Sequence, residues 1–499
     1  MRFGSIEYLF CLSIVAILVS RMLPKWRIPI LLLASIAFYM LWDAEHIIAL
    51  FIGIFVTYIC AFQIGRARSP ERKKRWLGVG VFATIALYLF YFYGPNSFKI
   101  INTIPGVELR ALAQLGVPLG LSYISFKQIS YLIDVYDGIL NAERSIAKYS
   151  LYISFFPSIT MGPIDRASSF LKQTSNNNRI SYTEIRYAFH LILWGLFKKI
   201  VIADRLAIIT SSVYTSPQGF DGFITLATSY LSFIQLYCDF SGYTDIALGS
   251  AKLLGFDLSV NFRNPLSAKN ISDFWKRWHI TLSSWLTDYI YSPIASRLAI
   301  RKSNHDAGIL GNTGLSDYIL AITATWLVSG IWHGVGSKYI VWGLMHALYF
   351  TLYQATAGSR KKVKRFIKSR PKHGIVYDLI CTIGTFNMVC LANIVFMSVN
   401  LSSALVFLRS LSSGYAQQIS SADQFKTALR GLGYSGLDLK LTLVYVAVFL
   451  LIEWNTDSYG LPKLLNKAWA IRWPVYYAIL VSVIFFGGGS ANNFIYQQF

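Results

Sequence analysis

An all-α protein that crosses a membrane many times is the fold class this sequence predicts. Three observations predict it. Of the 499 residues, 54% are hydrophobic and only 14% are charged. The apolar residues gather into repeated runs that approach the roughly 20 residues a bilayer-crossing helix needs. The charge, 46 basic against 24 acidic side chains for a net of +22, sits between those runs and forms no stripe on a polar fold. It therefore follows the bias of membrane topology and argues against nucleic acid as a partner.

The runs come in order along the chain. They are Ile6–Val19, Ile28–Trp42, Ile47–Gly65, Trp76–Gly94, Ile185–Val201, Phe223–Tyr237, Tyr318–Trp332, Tyr339–Tyr353, Ile375–Val399, Leu441–Glu453 and Val475–Gly487. That gives roughly eleven spans, with shorter helices that need not cross. Arg21, Lys25 and Arg27 follow the first run, Asp43 and Glu45 the second, and "RARSPERKKR" (66–75) the third. Basic and non-basic connections alternate, which places the N-terminus outside and 66–75 in the cytosol. "SRKKVKRFIKSRPK" (359–372) is the most basic connection. The first run carries its basic residues after the apolar stretch, so it is not expected to be a cleaved signal peptide. One multi-pass domain over 1–499 is expected, with a catalytic core over about 115–358. The relatively polar stretch over about 400–438 is expected to form a small extracytoplasmic cap.

Five cysteines, Cys11, Cys60, Cys238, Cys381 and Cys390, lie in or beside apolar runs without a CxxC pair. They read as free thiols, with no disulfide framework and no zinc site.

Polar residues collect in the middle third. "PLGLSYISFKQISYLIDVYDG" (118–138) carries Lys127, Gln128, Asp134 and Asp137. "FFPSITMGPIDR" (155–166) interrupts any helix with Pro157, Gly162 and Pro163. "YCDFSGYTDIALGSAKLLGF" (237–256) puts Asp239, Tyr243 and Asp245 near membrane depth. Irregular backbone at that depth is tolerated where it lines a cavity or is buried in protein, so these stretches predict a hollow inside a helical bundle.

In "NFRNPLSAKNISDFWKRWHITLSSWLTDYIYSP" (261–293), Ser272 or Asp273 can cap a helix beginning near Phe274. Trp275, Trp278, His279, Leu282, Trp285, Leu286 and Tyr289 then recur at three- and four-residue steps on one face. The segment reads as an amphipathic interfacial helix closed by Pro293, with Lys276 and Arg277 toward polar surroundings. In "VSGIWHGVGSKYIVWGLMHALYF" (328–350), His333 follows Trp332 inside an apolar run, flanked by Gly330 and Gly334. An ionisable group there is costly and marks function or a buried hydrogen bond. Glycine lets the backbone unwind or a partner approach. A buried imidazole stays neutral, as a general base must be. His346, four residues after Trp342, reads as a packing or supporting residue. No HxxxH or HExxH spacing gathers His279, His333 and His346 around a metal, and there is no GxSxG elbow or P-loop.

"DFSGYTDIALGSAKLLGF", "NFRNPLSAKNISDFWKRWHITLSSWLTDYIYSPI" and "SGIWHGVGSKYIVWGLMHAL" resemble the membrane-bound O-acyltransferase superfamily, specifically its bacterial polysaccharide branch. That branch O-acetylates alginate and peptidoglycan or transfers D-alanine to teichoic acid. "GLSYISFKQISYLIDVYDG", "FFPSITMGPIDR" and the C-terminal "NNFIYQQF" also look like family segments, so the resemblance spans nearly the whole chain.

The resemblance implies a ring of transmembrane helices around a thinned centre, with a tunnel between the two faces. It implies a cytosolic acyl thioester as donor, acetyl-CoA or a carrier-protein thioester, with no bound cofactor and no metal. It implies a polysaccharide acceptor outside the cytoplasmic membrane and an extracytoplasmic acetyltransferase partner. His333 matches the family's histidine and acts as general base. His279 matches the second polar position and orients the acceptor or stabilises the oxyanion. Asp239, Tyr243, Asp245, Trp275, Trp278 and Trp332 support the tunnel, and Lys276 and Arg277 can meet donor phosphates. The chain departs from the alginate-type pattern at "WLTDYIYSPIAS", where Thr287 replaces a usual arginine and the glycine pair after Pro293 is missing. A transporter, with His333 as a proton relay, is the rival of a different class, but no paired repeats are present.

Overall fold

The computed structural model describes residues 3–95, 97, 114, 116–175, 180–220, 222–305, 314–368, 371–415, 436–454 and 468–487. Among these, all regular structure is helical. Five helical stretches are long and apolar enough to cross a membrane: Pro24–Arg66, Pro70–Phe92, Leu315–His333, Gly374–Met397 and Trp469–Gly487. Pro24–Arg66 holds two helices joined by the one-turn segment Ala44–His46. Most of the expected cap, and "NNFIYQQF", fall outside the described residues; the part of the cap that is described includes a helix, Leu401–Ser410.

The chain forms two compact units. The first is built mainly from Met1–Gly195 and Tyr243–Ser259, the second mainly from Leu196–Gly242 and Val260–Ile495. In the first unit, Phe155–Arg166 has no continuous helix, as its prolines and glycine predict. It is nonetheless almost wholly buried, and most of its polar contacts are met by protein groups. Lys127 Nζ donates to Ser158 Oγ at 3.2 Å and the Tyr152 hydroxyl to the Asp165 carbonyl at 3.0 Å. Asp165 Oδ1 accepts from both the backbone N–H, at 2.9 Å, and the hydroxyl, at 2.5 Å, of Ser259. Arg27 spans 2.9 and 3.3 Å to the carbonyls of Gly255 and Leu254 while its guanidinium covers the Phe256 ring.

The second unit carries the histidines. Its helices Leu315–His333 and Ser337–Ala355 form a hairpin closed by a three-residue turn. Two glycines let the backbones touch: a Cβ at Gly330 would meet the Tyr339 carbonyl oxygen at 2.4 Å, and one at Gly343 the Trp326 carbonyl oxygen at 2.4 Å. The most basic connection forms the helix Ala357–Lys368, with the Arg360 guanidinium 3.4 Å from the centre of the Tyr353 ring.

Three local expectations change. The amphipathic segment is not one helix starting near Phe274. Asn270 caps a short helix Ile271–Trp275, the chain turns through Lys276–His279, and a second helix runs Ile280–Leu286 before a wider π turn at Thr287–Tyr291. Pro293 does not close the segment; the helix runs through it, from the π turn Thr287–Tyr291 directly into Ser292–His305. The run Ile185–Val201 changes from α-helix to π-helix at Phe197.

Candidate active site

His279 sits at the break in that segment. Its backbone is left-handed, φ +43° and ψ +54°, a conformation a β-carbon disfavours and one that persists where the surroundings enforce it. Asn261 is the enforcer. Its carbonyl oxygen accepts from Ile280 N at 3.0 Å. Its side-chain Oδ1 accepts from the backbone N–H of Thr281 at 3.3 Å and from the Thr281 hydroxyl at 2.6 Å. The same Oδ1 lies 3.4 Å from His279 Nδ1. An oxygen that accepts from a backbone N–H cannot itself donate, so His279 Nδ1 carries the ring proton and Nε2 keeps its lone pair. Asn261 is 0% and His279 1% exposed.

His333 ends the helix Leu315–His333 and is 4% exposed. Aromatic rings wall it in: Trp332 at 4.6 Å, Trp342 at 4.9 Å and Phe396 at 5.1 Å, each nearly edge to face. Phe396 is placed by Lys338, whose ammonium takes the carbonyls of Phe396 and Ser398 at 3.2 and 2.7 Å, at the C-terminal end of the helix Pro371–Met397. Trp332 is shared, since the His279 ring lies 6.4 Å from it on another approach. Phe240 meets His279 edge-on at 4.7 Å. Two imidazoles separated by 54 positions in sequence thus flank one indole in a buried, largely aromatic enclosure.

His346 is held apart from this pair. Trp275 Nε1 donates to its Nδ1 at 3.3 Å, and Trp326 stacks on it at 4.8 Å. The Trp342 ring stands between His346, at 4.7 Å, and His333, at 4.9 Å. Among the described residues no three His, Cys, Asp or Glu side chains converge as metal ligands. A cleft of about 260 Å³ opens beside Trp275 and Trp326, lined also by Thr287, Tyr291, Tyr318 and Phe350.

The other expected site residues divide. Trp278 packs against Phe262 at 5.1 Å and Phe233 at 5.4 Å, backing the turn that carries His279. Asp239 is paired with Lys199 at 2.8 Å, and Lys199 also holds Asp204 at 2.9 Å, so this carboxylate closes an ion network. Tyr243 and Asp245 lie in the first unit, where the Tyr243 hydroxyl bonds Thr160 and its ring stacks on Phe3 at 4.1 Å. Arg277 is committed to Asp273 at 2.8 Å and Ser267 at 3.2 Å, whereas Lys276 is exposed. Sequence reasoning missed Asn261, Phe240, Lys338 and Phe396. Phe240 and Phe396 look like any aromatic residue of an apolar helix. Asn261 opens a quoted motif but shows no periodic signal.

The profile of the membrane-bound O-acyltransferase family matches residues 140–398, a stretch that takes in His279 and His333. The chain belongs to the membrane-bound O-acyltransferase family. The peptidoglycan O-acetyltransferase of Helicobacter pylori is 32% identical over 415 residues, covering 76% of this chain and 73% of that protein. A probable alginate O-acetylase, AlgI, of Pseudomonas syringae pv. tomato is 31% identical over 393 residues, 76% of this chain and 69% of its own length. The teichoic acid D-alanyltransferase of Bacillus subtilis is 31% identical over 282 residues, 56% of this chain and 68% of that protein. The chain is therefore an acyltransferase and a multi-pass membrane protein, and in this O-acyltransferase the enclosure around Trp332 is the candidate centre of acyl transfer.

Proposed function

We propose that this enzyme takes an acetyl group from a cytosolic thioester, acetyl-CoA or an acetylated carrier protein, and delivers it to the hydroxyl of a polysaccharide outside the cytoplasmic membrane. A partner acetyltransferase on the outer face receives the group where transfer is not direct, and the N-terminus lies outside. One observation carries the reading: two buried imidazoles, His333 and His279, flank a single indole, Trp332, in an enclosure otherwise made of aromatic rings.

The chemistry follows from that setting. His333 accepts the proton of the acceptor hydroxyl as its oxygen attacks the thioester carbonyl. The C–O bond forms, the C–S bond breaks, and the proton passes to the departing thiolate, so His333 ends neutral. A positioned base of this kind contributes roughly a hundred- to ten-thousand-fold. His279 orients the acceptor. Its Nδ1 proton faces Asn261, so the lone pair on Nε2 is what the ring offers a hydroxyl. Water is kept out by the ring edges around His333, which protects the thioester from hydrolysis. Trp332 holds both imidazoles in place.

D-alanyl transfer from a carrier-protein thioester is the second reading. It is favoured by the identity to the Bacillus subtilis relative. It uses the same residues and differs in the acyl group, its donor and the acceptor, which is teichoic acid.

The test is turnover by purified protein in nanodiscs with radiolabelled acetyl-CoA, with and without glycan and partner, for the parent chain, His333→Ala and His279→Ala. Turnover in the parent and its loss in His333→Ala is the expected result. Equal turnover in the two sinks the general-base assignment. Label moving only from a D-alanyl carrier protein selects the second reading.

A further inference from the structure

The proposed reaction leaves one charge unmet. When oxygen attacks the thioester, negative charge develops on the carbonyl oxygen. That charge needs hydrogen-bond donors placed in advance. His279 cannot supply one while its Nδ1 proton faces Asn261, and His333 is occupied with the hydroxyl proton.

Asn261 fills the gap. Its Oδ1 is fixed as the acceptor end, because the Thr281 backbone N–H and hydroxyl both donate to it. This assigns the amide without ambiguity: the other terminal atom is the NH2 group. That Nδ2 is buried and has no hydrogen-bond partner among the described residues, on a side chain that is 0% exposed. A buried donor left unpaired is costly, and native structures seldom keep one without a reason. The amide cannot turn over to relieve it without breaking both bonds from Thr281. Its position is set by the same oxygen that faces His279. So a buried, uncharged donor stands on the side chain whose other end faces the imidazole that orients the acceptor.

We propose that Asn261 is a catalytic residue of this enzyme, and that its Nδ2–H donates to the thioester carbonyl oxygen as charge develops there. The group adds no proton and takes none; it stabilises the tetrahedral species until the C–S bond breaks. This rests on the acyl-transfer reading above.

The experiment separates the two ends of the side chain in the full-length protein in nanodiscs. Asn261→Asp keeps an oxygen for Thr281 and His279 but removes the donor. Thr281→Val removes a bond to Oδ1 but leaves the donor. Thermal stability, kcat and the donor KM are measured for each, with His333→Ala as reference. The expected result is a fall in kcat of about a hundred- to a thousand-fold for Asn261→Asp, the usual loss on deleting one oxyanion donor. Its donor KM should change little, its melting temperature should fall because the new carboxylate is buried without a cation, and Asn261→Ser, a shorter neutral donor, should recover part of kcat. Thr281→Val should lower the melting temperature more than it lowers kcat.

Three results overturn the proposal. One is Asn261→Asp turning over within a few-fold of the parent. Another is Asn261→Asp and Thr281→Val losing stability and kcat in parallel, which is the mark of a purely structural clamp. The third is Asn261→Ser recovering nothing in a protein as stable as Asn261→Asp. If the parent is active but His333→Ala retains its rate, the acyl-transfer reading fails first, and this result is distinct from the other three.

Discussion

Two regions of this protein bury polar side chains inside apolar surroundings, and they do so differently. In the first unit, around Phe155–Arg166, Lys127, Tyr152, Tyr243 and one carboxylate oxygen of Asp165 meet other protein groups within hydrogen-bond reach. In the second unit, His333 is surrounded by ring edges, and Asn261 keeps a donor unspent. Burial alone does not distinguish a chemical site from a structural hub, since both regions are almost inaccessible. Unpartnered buried atoms occur in both regions, Asp165 Oδ2 among them, so what marks the second is where such an atom lies: on Asn261, the side chain that faces His279. A hub's hydrogen bonds replace lost hydration. A site sets an uncommitted donor beside its imidazole.

The largest test of this contrast compares one residue from each region. His333→Ala should lower turnover by about a hundred- to ten-thousand-fold with the fold intact, read as kcat beside an unchanged melting curve. Asp165→Ala should do the reverse. It removes the oxygen to which the Ser259 N–H and hydroxyl now donate, and because Ser259 is exposed each lost bond costs about 0.5–1.5 kcal/mol. Its specific activity, measured on the folded fraction, should stay within a few-fold of the parent.

The ion network of the second unit sharpens the same point. Lys199 binds Asp239 and Asp204 on a π-helical stretch. Lys199→Met leaves the buried Asp239 and the partly buried Asp204 without their cation, which costs about 3–5 kcal/mol. Chemical unfolding in detergent reads that loss. A Lys199→Met protein that stayed as stable as the parent but lost turnover selectively would move Asp239 from the structural class to the catalytic one.

Much of the fold was legible because its signals are additive. Apolar run length predicted a helical membrane protein, and Pro157, Gly162 and Pro163 predicted the irregular stretch at 155–166. The two glycines that allow the hairpin contact were visible in "SGIWHG" and "VWGLMH". His333 was legible because an imidazole in an apolar run is anomalous. The break at His279 was not. Three- and four-residue spacing from Trp275 to Tyr289 reads as one helix, and nothing local to Lys276–His279 favours a left-handed residue. The turn is imposed from a distance by Asn261, 18 residues earlier. Tertiary contacts overrule local periodicity there, and periodicity cannot report them.

The smallest expected effect tests the same criterion on two adjacent cations. Both Lys276 and Arg277 were expected at the donor's phosphates. Arg277 spends its guanidinium on Asp273 and Ser267, so Arg277→Ala should cost a few tenths of a kcal/mol, the worth of an exposed i,i+4 pair, and leave the donor KM alone. Lys276 is exposed and makes no ion pair among the described residues. A single ammonium near a phosphate is worth about 1 kcal/mol or less in water, so Lys276→Ala should raise the donor KM by no more than about fivefold without touching kcat. That rise should shrink with added salt, because exposed charges are screened within about 10 Å at 0.1 M. A donor KM that follows Arg277 and ignores Lys276 would mean that a committed side chain still serves the substrate. An ion pair at the exposed surface would then not bar a side chain from the substrate, because water and salt weaken such a pair.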